Sequence, residues 1–184
     1  MSRGEQINPA GKKAIIDAFF ILMDEKPFSS ITVSELVKKA GVARATYYRN
    51  FYYKEDIIRA FLSSMHQELF LEMKNTPIIT ETVDVYLNPD LLYRSLEYAF
   101  RLCYKNREYL LIIMKNGLGG LIQDALNEYA YSLISEDSSI DAYQICFIQG
   151  AGFHMVMSWL SSGAKETPAE MTRKLVRYLS DGVL

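Results

Sequence analysis

Between Ala43 and Lys54 the chain reads Ala-Arg-Ala-Thr-Tyr-Tyr-Arg-Asn-Phe-Tyr-Tyr-Lys. Few stretches this short hold so many groups suited to a nucleic acid. Arg44 and Arg49 bring two guanidinium forks, which pair with guanine edges or phosphate oxygens. Thr46, Tyr47 and Tyr48 bring hydroxyl donors, Asn50 an amide and Lys54 a point charge. The backbone amides at the start of the following helix offer a further phosphate site. Ala43 and Ala45 are small enough to let a backbone close in on thymine methyl groups. A helical hairpin with solvated charges is the competing reading, and Arg44, Arg49 and Lys54 alone do not exclude it.

These groups act together only if short helices carry them. Ile15, Phe19 and Leu22 recur at i, i+4 and i+7, which predicts an amphipathic helix from about Pro9 to Asp24, capped by Asn8 and stopped before Pro27. Thr32-Val33-Ser34-Glu35 has the form of a capping box. It opens a helix with Val33, Leu36, Val37 and Ala40 on one face, ended by Gly41. The apolar and aromatic residues resume at once, so a third helix runs from about Ala43 to Asn50. Two short helices joined by a tight glycine-containing turn make a helix-turn-helix, whose second helix fits a major groove about 12 Å wide.

Charge divides the molecule in the same way. Residues 1–62 carry ten Lys/Arg against seven Asp/Glu, and residues 63–184 carry ten against fifteen. A basic head on an acidic body predicts two modules with different partners. From Lys54 a long helix begins, with Ile58, Phe61, Leu62 and Met65 on its apolar face. Residues 75–89, with Pro77 and Asn88-Pro89, read as a loop. Helical periodicity returns over 90–104, 107–115, 118–135 and 139–161, and Thr167-Pro168-Ala169-Glu170 caps a last helix running to Ser180. The expected fold is all-α, with about nine helices.

Several functions are excluded or disfavoured. Residues 142–164 contain no charged side chain, but Gln144, Gln149, His154 and Ser158 interrupt them and no basic cluster flanks them. A buried soluble helix explains the run better than a membrane span. Cys103 and Cys146 are too few and too far apart to staple the chain, and no Cys or His spacing suggests a metal. Free thiols and a polar N-terminus point to the cytoplasm. There is no Gly-rich phosphate loop, no G-x-S-x-G elbow and no cofactor motif, and the only histidines are His66 and His154. An enzyme is not expected.

The string from Thr32 to Ile57 resembles the DNA-binding domain of the TetR family of bacterial transcriptional regulators. Ala40-Gly41-Val42, Tyr48-Arg49-Asn50-Phe51 and Lys54-Glu55 stand in the order and spacing that this family shows. Asn50 replaces a frequent histidine, and Tyr52-Tyr53 replaces short polar residues. The resemblance implies a DNA-binding domain over 1–53 and a helical ligand-binding and dimerisation domain over 54–184. It implies DNA contacts from Thr32, Arg44, Thr46, Tyr47, Tyr48, Asn50 and Lys54, with Val42 and Phe51 in the core.

For the body it implies a homodimer through the last two helices. Gly150, Gly152, Trp159, Leu175 and Tyr178 are the candidates for that face, and the stretch from Trp159 to Met171 resembles the corresponding part of such domains. A ligand cavity would draw on Phe61, Met65, Tyr98 and Cys103, and on Met114, Phe147, His154 and Met157. The function implied is a repressor released from a palindromic operator by a small-molecule effector. A second reading is a dimeric helical module whose C-terminal domain recruits a protein partner that controls or uses DNA binding.

Overall fold

Local chemistry decides where the first helices start and stop. The computed structural model describes residues 9–74, 88–132 and 141–181, and among these the regular structure is helical throughout. Helix α1 (Pro9–Glu25) buries Ile15, Phe19 and Leu22, and the Asn8 cap expected for it lies outside the described residues. A single 3-10 turn, Phe28–Ser30, follows Pro27. Helix α2 (Val33–Ala40) is opened by the expected box: the Thr32 hydroxyl accepts the Glu35 N–H at 3.2 Å, and the Glu35 carboxylate accepts the Thr32 N–H at 3.0 Å. Gly41, at φ 66°, closes α2 in the left-handed region, where a side chain would be strained. Helix α3 (Arg44–Asn50) starts with Ala43 as an N-cap that has no side chain to offer.

The remaining boundaries follow from caps that periodicity does not show. Helix α4 (Glu55–Lys74) begins one residue beyond Lys54. Asn88-Pro89, expected in a loop, instead opens α5 (Pro89–Lys105): the Asn88 side chain accepts the Asp90 and Leu91 N–H groups, both at 3.1 Å. Proline at the first position costs nothing, because its missing N–H would have had no partner. The rest of the expected loop, residues 75–87, lies outside the described residues. Asn106 alone separates α5 from α6 (Arg107–Lys115). Then come α7 (Gly119–Ser132), α8 (Ala142–Ser161) and α9 (Pro168–Asp181). Asp141 and Gln144 form a capping box for α8, which therefore begins later than position 139.

Nine α-helices among the described residues pack around one continuous core. Helix α1 lies against α2, α3, α4 and α6, and α4 continues onto α5 and α7; α5 rests on α9, and α7 on α8. Helix α4 thus belongs to both ends of the molecule. A second tie runs through α6. Tyr109 stacks on Phe20 of α1 at 4.1 Å, and Phe61 of α4 meets both rings edge-on. At the end of α6, Asn116 accepts the Phe28 N–H at 2.9 Å and donates to the Met23 carbonyl at 3.2 Å. No helix among the described residues is long and apolar enough to cross a membrane.

Candidate nucleic-acid interface and internal cavity

The outer face of α3 presents Arg44, Ala45, Tyr48 and Arg49 to solvent. Arg44 and Tyr48, four residues apart, lie on one face. The Arg44 guanidinium donates to the Tyr48 hydroxyl at 3.2 Å and sits 5.6 Å from the ring centre. Three residues apart, Arg49 approaches the Thr46 hydroxyl at 3.5 Å. Pairing within the helix holds these long side chains near one orientation, which reduces the entropy lost when they meet a partner.

Other expected contacts are placed differently. Tyr47 is 1% exposed and packs against Phe51, whereas Tyr48 is 52% exposed. Of the two tyrosines expected to contact DNA, Tyr47 is thus turned into the core and only Tyr48 outward, because consecutive helical residues point about 100° apart. Burial and the nearby Asp56 and Glu55 carboxylates also push the Tyr47 phenol upward. Lys54 is turned inward. Its ammonium donates to the Phe28 and Ile31 carbonyls at 2.8 and 2.9 Å, over the Phe28 ring, so it fastens the start of α4 to the turn before α2.

Thr32 spends its hydroxyl on Glu35, and the Asn50 amide donates to the Thr46 carbonyl at 2.7 Å. At the start of α4, where amides were expected to meet phosphate, the Asp56 and Ile57 N–H groups donate to the Tyr53 and Lys54 carbonyls, and just before it the Tyr52 and Tyr53 N–H groups donate to the Asp56 carboxylate, at 3.0 and 2.7 Å. The rings of Tyr52 and Tyr53 themselves are exposed. Phe51 is buried and Val42 packs against the core, as expected.

The body holds a cavity of about 120 Å³ walled by α4, α5, α6, α7, α8 and α9. Met65, Cys103 and Met157, expected there, do line it. Burial pushes the Cys103 thiol up to about 12, so it serves as a small apolar surface. The other expected lining residues stand elsewhere. Phe61 belongs to the aromatic cluster with Phe20 and Tyr109, and Met114 packs at the end of α6. Tyr98 donates to the Glu68 carboxylate at 3.3 Å.

Phe147 and His154 are corrected outright: both are exposed on the outer side of α8, whose twenty residues cannot turn every apolar group to one cavity. His66, Tyr129 and Gln149, which the periodicity did not single out, line it instead. His66 lies on α4 four residues after Leu62 and three before Leu69, which line the cavity with it, and burial lowers its pKa.

The candidates for a subunit interface divide too. Trp159 is a core residue, stacked on Tyr104 and donating to the Glu166 carbonyl at 3.0 Å. Leu175 and Gly152 face the cavity. Both Trp159 and Leu175 are buried within one chain, which leaves them nothing to offer a second. Gly150 has open space where a side chain would stand, and Tyr178 is partly exposed under the Arg177 guanidinium. Around them α8 exposes Tyr143, Cys146, Phe147 and His154.

Comparison with known proteins follows the same division. Residues 15–61 match the model for bacterial regulatory proteins of the tetR family, and residues 90–181 match that for a transcriptional regulator C-terminal region. An uncharacterized HTH-type transcriptional regulator of Bacillus subtilis, YvkB, is 33% identical over 81 residues. That match spans 44% of this chain and only 39% of the relative. Among solved structures, a TetR-family regulator from Syntrophomonas wolfei superposes with a TM-score of 0.72 at 16% identity, covering 96% of this chain and 98% of its own. Thermus thermophilus FadR, a repressor in complex with lauroyl-CoA, superposes at 0.56 with 19% identity, covering 94% and 95%. At these identities the structural likenesses are likenesses of fold.

Proposed function

This chain belongs to the TetR family of bacterial transcriptional regulators, and from that membership we propose that it is a homodimeric, cytoplasmic repressor, without enzymatic activity, that leaves a palindromic operator when a small apolar effector binds its body. Residues 1–53 read the DNA, and residues 54–184 dimerise and hold the effector. The observation that carries this reading is the Arg44–Tyr48 pair, held ready on the open face of a seven-residue helix behind a left-handed glycine. Arg44, Tyr48, Thr46 and Arg49 meet bases and phosphates. Thr32, Asn50 and Lys54 support that face by their bonds to the backbone and to Glu35.

The uncovered apolar stripe of α8, Tyr143 and Phe147 with Gly150 one turn further on, supports a two-fold partner. Such a dimer sets two recognition helices about 34 Å apart, one turn of DNA. A body whose cavity is walled partly by α4 supports release. Filling the cavity shifts α4, and the Phe20–Tyr109 stack and Asn116 carry the shift to α1. Effector and DNA then weaken each other by the same factor. The likeness to a repressor bound to lauroyl-CoA supports an effector with an apolar tail.

The test is selection of bound sequences from random duplex DNA at two salt concentrations. An enriched palindrome whose binding falls steeply with salt is expected. Binding without enrichment, by a folded dimer, overturns sequence-specific reading.

A further inference from the structure

The internal cavity has an outer counterpart. A groove on the surface between α4 and α7 is lined by Ser63, Gln67, Phe70, Leu71 and Glu128, and it shares His66 and Tyr129 with the cavity. Those two rings stack at 5.2 Å and 23°. They therefore line both the apolar chamber and the more open trough beside it. An apolar cavity of ~150 Å³ stays dry and takes benzene. The chamber here, at about 120 Å³, has room for a ring or a short stretch of alkyl chain but not for a whole effector. The rest of such a molecule must lie in the trough.

Charge then selects the head group. Among the described residues lining chamber and trough there is no Lys or Arg, and Glu128 carries the one carboxylate. His66 faces that carboxylate, but burial holds its imidazole toward the neutral form. An anionic head at this place would give up water and gain no cation. A cationic head gains the Glu128 carboxylate and the faces of exposed aromatic rings, Phe70 among them.

We propose that chamber and trough form one site for a cationic amphiphile, its short apolar tail in the chamber beyond the His66–Tyr129 stack and its positive head in the trough against Glu128. The proposal rests on the effector reading above and narrows it to a head-group class.

The test uses the full-length protein and four probes that share an eight-carbon chain: octyltrimethylammonium, octanol, octanoate and octanoyl-CoA, each titrated calorimetrically below its micellar concentration. Octyltrimethylammonium is expected to bind most tightly, about fivefold better than octanol, with octanoate and octanoyl-CoA weaker still. Glu128→Gln, an exposed change, should erase the advantage over octanol while leaving octanol unchanged. Ala125→Phe, which fills the chamber, should weaken both.

Tightest binding by octanoate or octanoyl-CoA overturns the proposal. So does an unchanged preference in Glu128→Gln, or no binding by any probe. Fluorescence anisotropy of labelled operator separates this from the effector reading. Ammonium binding that leaves DNA affinity unchanged removes induction and keeps the site. DNA release by octanoyl-CoA, with no binding of the ammonium, keeps induction and removes the site.

Discussion

The DNA face and the cavity are built in opposite ways. On the DNA face, Arg44, Thr46, Tyr48 and Arg49 fall within six residues, and the bonds that orient them span three or four positions along α3. The cavity is walled by six helices, and the ring pair it shares with the surface groove joins His66 to Tyr129, more than sixty positions away. One region is a local device set into a fold. The other exists only because the fold exists. Substitutions on the DNA face should therefore alter function with little change in stability, except where a residue of that face also serves the core.

Tyr47 and Tyr48 test that rule most severely, because they are neighbours in sequence with opposite environments. Tyr47→Ala removes a ring that is 1% exposed and packed on Phe51, and should cost about 3–5 kcal/mol in urea unfolding. Tyr48→Ala should leave stability within about 0.5 kcal/mol and weaken operator binding instead. Equal stability losses would show that the two sides of α3 are not distinct.

The same contrast explains what was legible in the sequence. Helix order, the capping box at Thr32, the turn at Gly41 and the helix over Arg44–Asn50 are all short-range patterns, and all were read correctly. The direction of Tyr47 was not, because seven residues make barely two turns and hydroxyl chemistry does not say which tyrosine the core takes. The inward turn of Lys54 depends on the Phe28 and Ile31 carbonyls more than twenty residues away. Phe147 and His154 lie in a helix apolar on all sides, where periodicity gives no direction. His66 had one signal, a histidine on an apolar face of α4, which is read as core packing until α7 is seen beside it.

Arg44→Ala should lower operator affinity by about 1–3 kcal/mol, with the unfolding midpoint and the dimer unchanged. An unaltered affinity would put another element in the groove. Asn116→Ala tests the joint between the two regions. It strands the Phe28 N–H and the Met23 carbonyl at a partly buried contact, and should cost about 1–3 kcal/mol. It should also reduce the extent to which an effector weakens DNA binding. A loss of stability with undiminished coupling would assign the transmission to α4 alone.

The smallest effect compares two capping boxes, one in each region. In both, a threonine N–H and hydroxyl donate to a glutamate carboxylate: Thr32 to Glu35 in the head, Thr167 to Glu170 in the body. The head box has an added partner. The Lys26 ammonium bonds Glu35 at 2.6 Å and, with the Thr32 donors, lowers its pKa from 4.5 to about 2. The Thr167 donors lower the Glu170 pKa as well, with no lysine bonded to that carboxylate among the described contacts. A pKa depressed in the folded state stabilises above the unfolded value and is lost as pH falls through the folded value. Both boxes are therefore intact at neutral pH, and acid should open the body box first. Following the side-chain carboxyl carbons by NMR from pH 6 downward, Glu170 should be half protonated while Glu35 is still ionised. Titration of the two together would mean that solvent screens Lys26 completely, and that the two boxes are equivalent despite their different surroundings.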